Sequence, residues 1–399
     1  MPHAAAPGEY VSFPELNSTE VEQLERTRAR IAQAIDEAGG ALPFDRYMEL
    51  ALYGPGIGYY VNGAHKFGAG GDFVTAPELT PLFGQCLAEQ LAEVLPACGN
   101  QVMEFGAGSG ALAADILAHL ERIDRLPDRY LVMELSVELR QRQQALLAER
   151  VPHLLARVEW LERLPMGGWQ GVVVANELLD AMPVSRFRRA SHGWEEQRVR
   201  NGEDGFEIRW DVPCTPALVA ALEGIQRRLG PFADGYCSEV NLRLSPWMRA
   251  LAGMLERGLV LLIDYGYSER EYYHPERDSG TLMCHFRHRA HDDPLLLPGL
   301  QDITASVDFS AVAEAGTAAG LELAGYATQA QFLLGCGLDR LLEAADTADP
   351  EDRIDRLQAA KQLVLPSAMG ERFKVIGFSR GLDERPLRGF ALRDMRAAL

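Results

Sequence analysis

The run Glu104-Phe105-Gly106-Ala107-Gly108-Ser109-Gly110 constrains this chain more than any other segment. The apolar stretch Gln101–Phe105 precedes it. Ala111–Ile123 follows, with Leu112, Ile116, Leu120 and Ile123 on one helical stripe. Strand, glycine turn and helix in that order predict one nucleotide-binding half of a parallel α/β sheet. Glycines in such a turn permit left-handed backbone and let a ligand approach the main chain closely. Two ligand readings compete. A dinucleotide site asks for G-x-G-x-x-G/A, which Gly106, Gly108 and Ala111 satisfy. An S-adenosylmethionine site asks for an acid at the strand end and three alternating glycines. Glu104 favours the second, because a carboxylate suits a cationic sulfonium and ammonium and opposes a pyrophosphate. A tight turn without any ligand is the bland alternative. On the second reading Glu104, Gly106, Gly108 and Gly110 are cofactor-binding candidates. Glu134, at the end of the next predicted strand, is placed for ribose hydroxyls.

The same alternation continues along the chain. Tyr130–Leu135 and Gly171–Ala175 read as strands, as do Gly258–Tyr265, Leu321–Thr328 and Phe373–Ser379. Val137–Arg150, Phe309–Gly320 and Arg353–Val364 read as helices. The continuous apolar runs Gly171–Ala175 and Gly258–Ile263 suit strands buried on both faces. This pattern predicts a doubly wound α/β sheet with ligands at the carboxyl ends of the strands. Upstream, Val21–Glu37 reads as a helix ended by Gly39-Gly40, and a second helix follows Pro43 to Leu52. A Gly-dense stretch, Tyr53–Gly71, comes next, and Thr80-Pro81 opens another helix as N-cap and first residue. Two segments interrupt the alternation: Phe187–Trp210, β-rich, and Ser268–Asp308, long and loop-rich. The expected division is therefore an N-terminal helical cap, 1–78, and one large domain, 79–399, with insertions at about 187–245 and 268–308.

A second constellation, Ala175-Asn176-Glu177-Leu178-Leu179-Asp180, follows the Gly171–Ala175 strand. In a doubly wound sheet that strand end borders the crevice beside the glycine turn. Methyl transfer is a displacement at carbon, so its catalysis is mostly positioning of the acceptor in line with the sulfonium. A guanidinium acceptor stays protonated in water, with a pKa above roughly 12. Carboxylates that bond some of its nitrogens orient it and draw charge from the attacking one. Glu177 is the first candidate for that catalytic role and Asp180 the second, with Asn176 beside the cofactor. The competing explanation is a helix N-terminus enriched in acids for dipole reasons.

Taken together, these segments resemble the MidA-like methyltransferases, the complex I assembly factor family of mitochondria. The resemblance rests on ALYGPGIGYY (51–60), GGDFVTAPELTPLFGQCLAEQL (70–91), EFGAGSGAL (104–112), YLVMELSVELRQRQ (130–143), ANELLDAMPV (175–184), DYGY (264–267) and the segment 280–311. It spans residues from about 40 to 380. It implies a Rossmann-like class I fold whose seven-stranded sheet is parallel except for an antiparallel last strand, Phe373–Ser379. It also implies an enzyme that takes S-adenosylmethionine, leaves S-adenosylhomocysteine, and methylates a protein arginine, with a complex I core subunit as the implied partner. A non-catalytic assembly protein that retains the cofactor site and a small-molecule methyltransferase are the alternatives.

Composition narrows the partners. The net charge is −18, from 39 Lys plus Arg against 57 Asp plus Glu. That argues against nucleic acid, whose phosphates need a basic surface. The apolar runs are too short to span a bilayer, so no membrane insertion is expected. Six scattered cysteines without a C-x-x-C pair, and an N-terminus lacking signal or transit character, point to a bacterial-type cytoplasmic protein. A homodimer is compatible with everything above. Among weaker features, Asp72 is a catalytic candidate if the Thr80 helix packs over the glycine turn, and Tyr59 and Tyr60 are candidate walls of an acceptor channel. Asp264 is a modest pocket candidate. His285, His288 and His291 invite a metal, but no thiol or carboxylate stands at zinc-site spacing, so no metal is expected.

Overall fold

The computed structural model describes residues 15–61, 75–344, 350–383 and 386–399. Seven strands build its large sheet: β1 (Gln101–Phe105), β2 (Arg129–Met133), β3 (Val158–Leu161), β4 (Trp169–Asn176), β5 (Leu255–Tyr267), β6 (Glu322–Thr328) and β7 (Phe373–Arg380). Their spatial order is β6-β7-β5-β4-β1-β2-β3. All pairings are parallel except those of β7, which runs antiparallel to both β5 and β6. The two-residue strand Val307–Asp308 adds an eighth, pairing with the end of β5.

Alternate residues of these strands face opposite layers, as the two-residue period of a strand requires. Val102, Val172, Val174, Leu259 and Leu261 pack under the helices Pro81–Val94 and Ala111–Arg122. Met103, Val173, Ala175, Val260 and Leu262 pack against the helices Leu244–Met254 and Phe309–Ala318. Every one of those strand side chains is fully buried or within 1% of it. This is why the strands read as unbroken apolar runs. The predicted cap at Thr80 is present, its hydroxyl accepting from the Leu82 amide with Pro81 as the first helical residue.

The segment between β4 and β5 forms its own antiparallel sheet. Ser185–Ala190, Gly193–Asn201, Phe206–Asp211 and Cys237–Val240 are joined there by Leu42–Pro43 from the N-terminal region. The segment predicted as loop-rich, 268–308, holds a second small sheet of Met283–Phe286, Arg289–His291 and Asp302–Thr304. The N-terminal helices Ser18–Glu37 and Phe44–Tyr53 share one apolar cluster with both insertions. Ile31, Ile35, Phe44 and Tyr47 meet Val184, Val199, Cys284 and Ile303 there. Three stretches far apart in sequence thus close over the carboxyl ends of the large sheet.

Candidate active site

The carboxyl ends of β1, β2, β4 and β5 open into a cavity of about 1350 Å³. Gly106 and Gly108 form one part of its wall with φ of 67° and 53°, and Gly110 behind them has φ of 93°. Only glycine adopts these angles without strain. A Cβ on Gly110 would come within 3.1 Å of the Gln143 Cα, and one on Gly106 within 3.2 Å of a Leu178 methyl. Glu104, 2% exposed, accepts the Tyr130 hydroxyl at 2.6 Å. Burial pushes its carboxyl up to about 7, against the pull of that hydrogen bond.

Glu134 directly follows β2 on the cavity wall. It accepts from the Ser136 amide at 2.9 Å and from Gln143 Nε2 at 3.1 Å, and burial raises its pKa. The same Gln143 amide reaches the Gly108 carbonyl at 3.1 Å, and its oxygen accepts from Trp160 at 2.9 Å. Gln143 therefore ties the glycine turn to the second acid. Gln143 closes the 130–143 segment, but two of its partners, Gly108 and Trp160, lie outside it, so its role is not legible there. Glu78, from the short helix Ala76–Leu79 that precedes the Thr80 helix, bonds the Ser109 hydroxyl and ties that short helix to the glycine turn. Asp72 lies outside the described residues.

Glu177 is the most unusual residue of the cavity. Its φ is 51°, a left-handed backbone rare for a side chain of this kind, held by a 2.9 Å bond from its amide to the Ile263 carbonyl. The carboxylate accepts Asn176 Nδ2 at 3.1 Å. Burial first, and the neighbouring Asp180 second, push it up to about 8. Asp180, 6% exposed, is raised to about 6 by burial, against a hydrogen bond from the Tyr265 side chain. Asn176 Oδ1 and Asp180 Oδ1 are buried without a hydrogen-bond partner among the described residues.

Asp264 does not line this cavity; it organises it. Fully buried, it accepts the Leu179 and Asp180 amides at 2.9 and 3.2 Å and that of Tyr265 at 2.9 Å. Of the two tyrosines singled out in the sequence, Tyr60 lines the cavity, whereas Tyr59, 1% exposed, belongs to the apolar cluster of the N-terminal helices. Tyr53 takes the expected place of Tyr59, stacked on Tyr60 with ring centroids 5.4 Å apart. The three histidines sit on a hairpin whose turn residues, Arg287 and His288, have φ of 48° and 61°. His285 pairs with Ala290 and His291 with Cys284, so His285 and His291 project from opposite faces and do not converge on one ion. Arg287 instead pairs with Glu20 of the first helix at 2.7 Å.

A family model described as putative S-adenosyl-L-methionine-dependent methyltransferase matches residues 86–327. The chain belongs to this family. A crystal structure of a candidate methyl transferase from Burkholderia thailandensis, bound to S-adenosyl-homocysteine, superposes with a TM-score of 0.92 at 45% identity. It covers 97% of this chain and 100% of that one. The mitochondrial protein arginine methyltransferase NDUFAF7 of Danio rerio is 30% identical over 369 residues, 84% of this chain and 83% of the relative. The homologue of the same name in Drosophila melanogaster is 29% identical over 389 residues. The strand order is that of a class I methyltransferase, and its cofactor is S-adenosylmethionine. The residues of this chain fit that group. Left-handed Gly106 and Gly108 give the backbone approach, and buried Glu104 with half-buried Asn176 lines the same wall with acceptor groups for a cationic ligand. No helix among the described residues is long and apolar enough to cross a membrane.

Proposed function

We propose that this methyltransferase acts on an arginine side chain of a protein, with a core subunit of respiratory complex I, or its bacterial equivalent, as the acceptor. Glu104, Gly106, Gly108, Gly110, Glu134 and Asn176 hold the methyl donor; Glu177 and Asp180 hold the acceptor. The observation that carries the reading is the pair Glu177 and Asp180 at one strand end, both raised by burial, one with an unpartnered buried oxygen. The mitochondrial relatives, named protein arginine methyltransferases, support it.

Bound, S-adenosylmethionine supplies an electrophilic methyl on a positively charged sulfur. The acceptor nitrogen gains a bond to that carbon as the carbon–sulfur bond breaks, and its electron pair neutralises the sulfonium. The methylated guanidinium then sheds one proton. Glu177 is suited to receive it, because a carboxyl raised to about 8 is a far better base than an ordinary glutamate. Asp180 stays on the acceptor as a charge-assisted partner. The reading is tested by mass spectrometry of the proteome with and without the gene. Arginine methylation lost on deletion and not restored by Glu177→Ala is the expected outcome. Full restoration of the biological role by Glu177→Ala would favour a docking protein over an enzyme.

A further inference from the structure

The acceptor end of the cavity contains a third acid that belongs to a different part of the chain. Asp302 opens the strand Asp302–Thr304 of the 268–308 insertion, is 2% exposed and lines the cavity with Glu177 and Asp180. Its Oδ1 accepts the Tyr60 hydroxyl and the Ile303 amide, both at 3.0 Å. Tyr60 stacks on Tyr53 with planes 17° apart, and the Tyr53 hydroxyl is bonded to the Ala181 carbonyl at 2.9 Å. The Ala305 amide reaches the Asp180 carbonyl at 2.9 Å, which fastens the insertion strand to the Glu177–Asp180 loop.

Two independent features mark this corner as a cation site. Asp180 lines the cavity, and its buried Oδ1 has no hydrogen-bond partner among the described residues. A stacked tyrosine pair stands beside the acids, and aromatic faces attract planar cations such as a guanidinium. Burial and Asp302 hold Tyr60 well above its ordinary pKa, so it remains a neutral donor.

We infer that Asp302, Asp180 and Glu177 together, with the Tyr53–Tyr60 pair, form a guanidinium pocket that selects arginine over lysine. The inference rests on the arginine reading above and deepens it by naming an acceptor-binding residue from the insertion. Its logic is geometric. A guanidinium carries five N–H donors spread in a plane, enough to engage three carboxylates at once, whereas an ammonium offers three from a single point. The acids of the sheet and the acid of the insertion must both be present for that planar match.

The test measures binding of two small probes, Nα-acetyl-arginine amide and Nα-acetyl-lysine amide, to the full chain saturated with S-adenosyl-homocysteine, by NMR titration. The wild type is expected to prefer the arginine probe. Asp302→Asn is expected to weaken it about tenfold, the effect of losing one hydrogen bond to a charged group, while changing the lysine probe far less. Tyr60→Phe keeps the stack but removes the hydroxyl that orients Asp302, and a smaller loss of the arginine preference is expected. Affinity for S-adenosyl-homocysteine, unchanged in each variant, verifies folding; if Asp302→Asn loses it, Tyr60→Phe alone decides. Equal affinity of wild type and variants for the arginine probe, or equal loss for both probes, would overturn the assignment of Asp302. A wild type that binds S-adenosyl-homocysteine but neither probe would instead overturn the arginine reading itself.

Discussion

At the scale of single residues, backbone angle and burial set the chemistry. Gly106 holds φ of 67° with only 3.2 Å from a virtual Cβ to Leu178. A β-branched residue there is strained by about 1–3 kcal/mol, so Gly106→Val is expected to weaken S-adenosylmethionine binding by roughly 5- to 150-fold. Equilibrium binding by calorimetry measures it. The raised acids give a pH signature. Glu104 at about 7 and Glu177 at about 8 lie above their ordinary 4.5. A carboxyl whose folded pKa is raised stabilises the fold below its unfolded pKa, and that contribution is lost as pH rises through the folded value. The ligand-free protein is therefore expected to melt at progressively lower temperature from pH 5 to pH 8.5. The increment added by S-adenosylmethionine should grow over the same range, because a cationic ligand favours the ionised acids. Thermal scans at several pH values, with and without cofactor, check both trends. Methyl-transfer rate should rise along the same limb as Glu177 becomes a base.

At the scale of elements, β4 and β5 act as one unit. The β4 end bends through Glu177, and the amides of the following loop are held by a buried side chain of β5, Asp264. Asp264→Ala removes the acceptor of three amides and leaves them buried. A cost of about 1–3 kcal/mol per unsatisfied group is expected in part, with a fall in kcat larger than any fall in cofactor affinity. Steady-state kinetics beside cofactor titration separate these effects. Several elements escaped sequence reading for identifiable reasons. β3, Val158–Leu161, is a short edge strand whose residues are only half-buried, so it lacks the apolar run that revealed β4. The helix Leu244–Met254 follows an insertion that masks the alternation of strand and helix. The strands of the 268–308 insertion are three or four residues long and carry histidine and arginine at their turn, which read as a loop.

At the scale of the whole molecule, the N-terminal helices and the two insertions share a core. Ile31 is fully buried in it, among residues of all three stretches. Ile31→Ala is expected to cost about 2–5 kcal/mol, with the insertions losing protection from hydrogen exchange together with the first helix. Exchange mass spectrometry reads this directly; loss confined to the first helix would contradict the shared core. The net charge of −18 also acts at this scale, as a field that attracts a cationic segment. Acceptor KM should rise with salt, since the Debye length falls to about 8 Å at physiological ionic strength.

Local chemistry by itself determined the strand–turn–helix at residue 101, the three glycines and the acid before them. Their requirements are met by neighbours along the chain, through backbone angle, apolar period and charge. The same holds for the placement of Glu177 and Asp180 just after a buried strand. Only the tertiary structure decided that Gln143 locks Glu134 to the glycine turn, that Asp264 supports the loop rather than lining the cavity, and that Tyr53 rather than Tyr59 faces it. It also brought Asp302 beside Asp180, 122 positions earlier in the chain. Such contacts arise from strand order and the packing of insertions, and hydrogen bonds between distant segments leave no period in the sequence that could announce them.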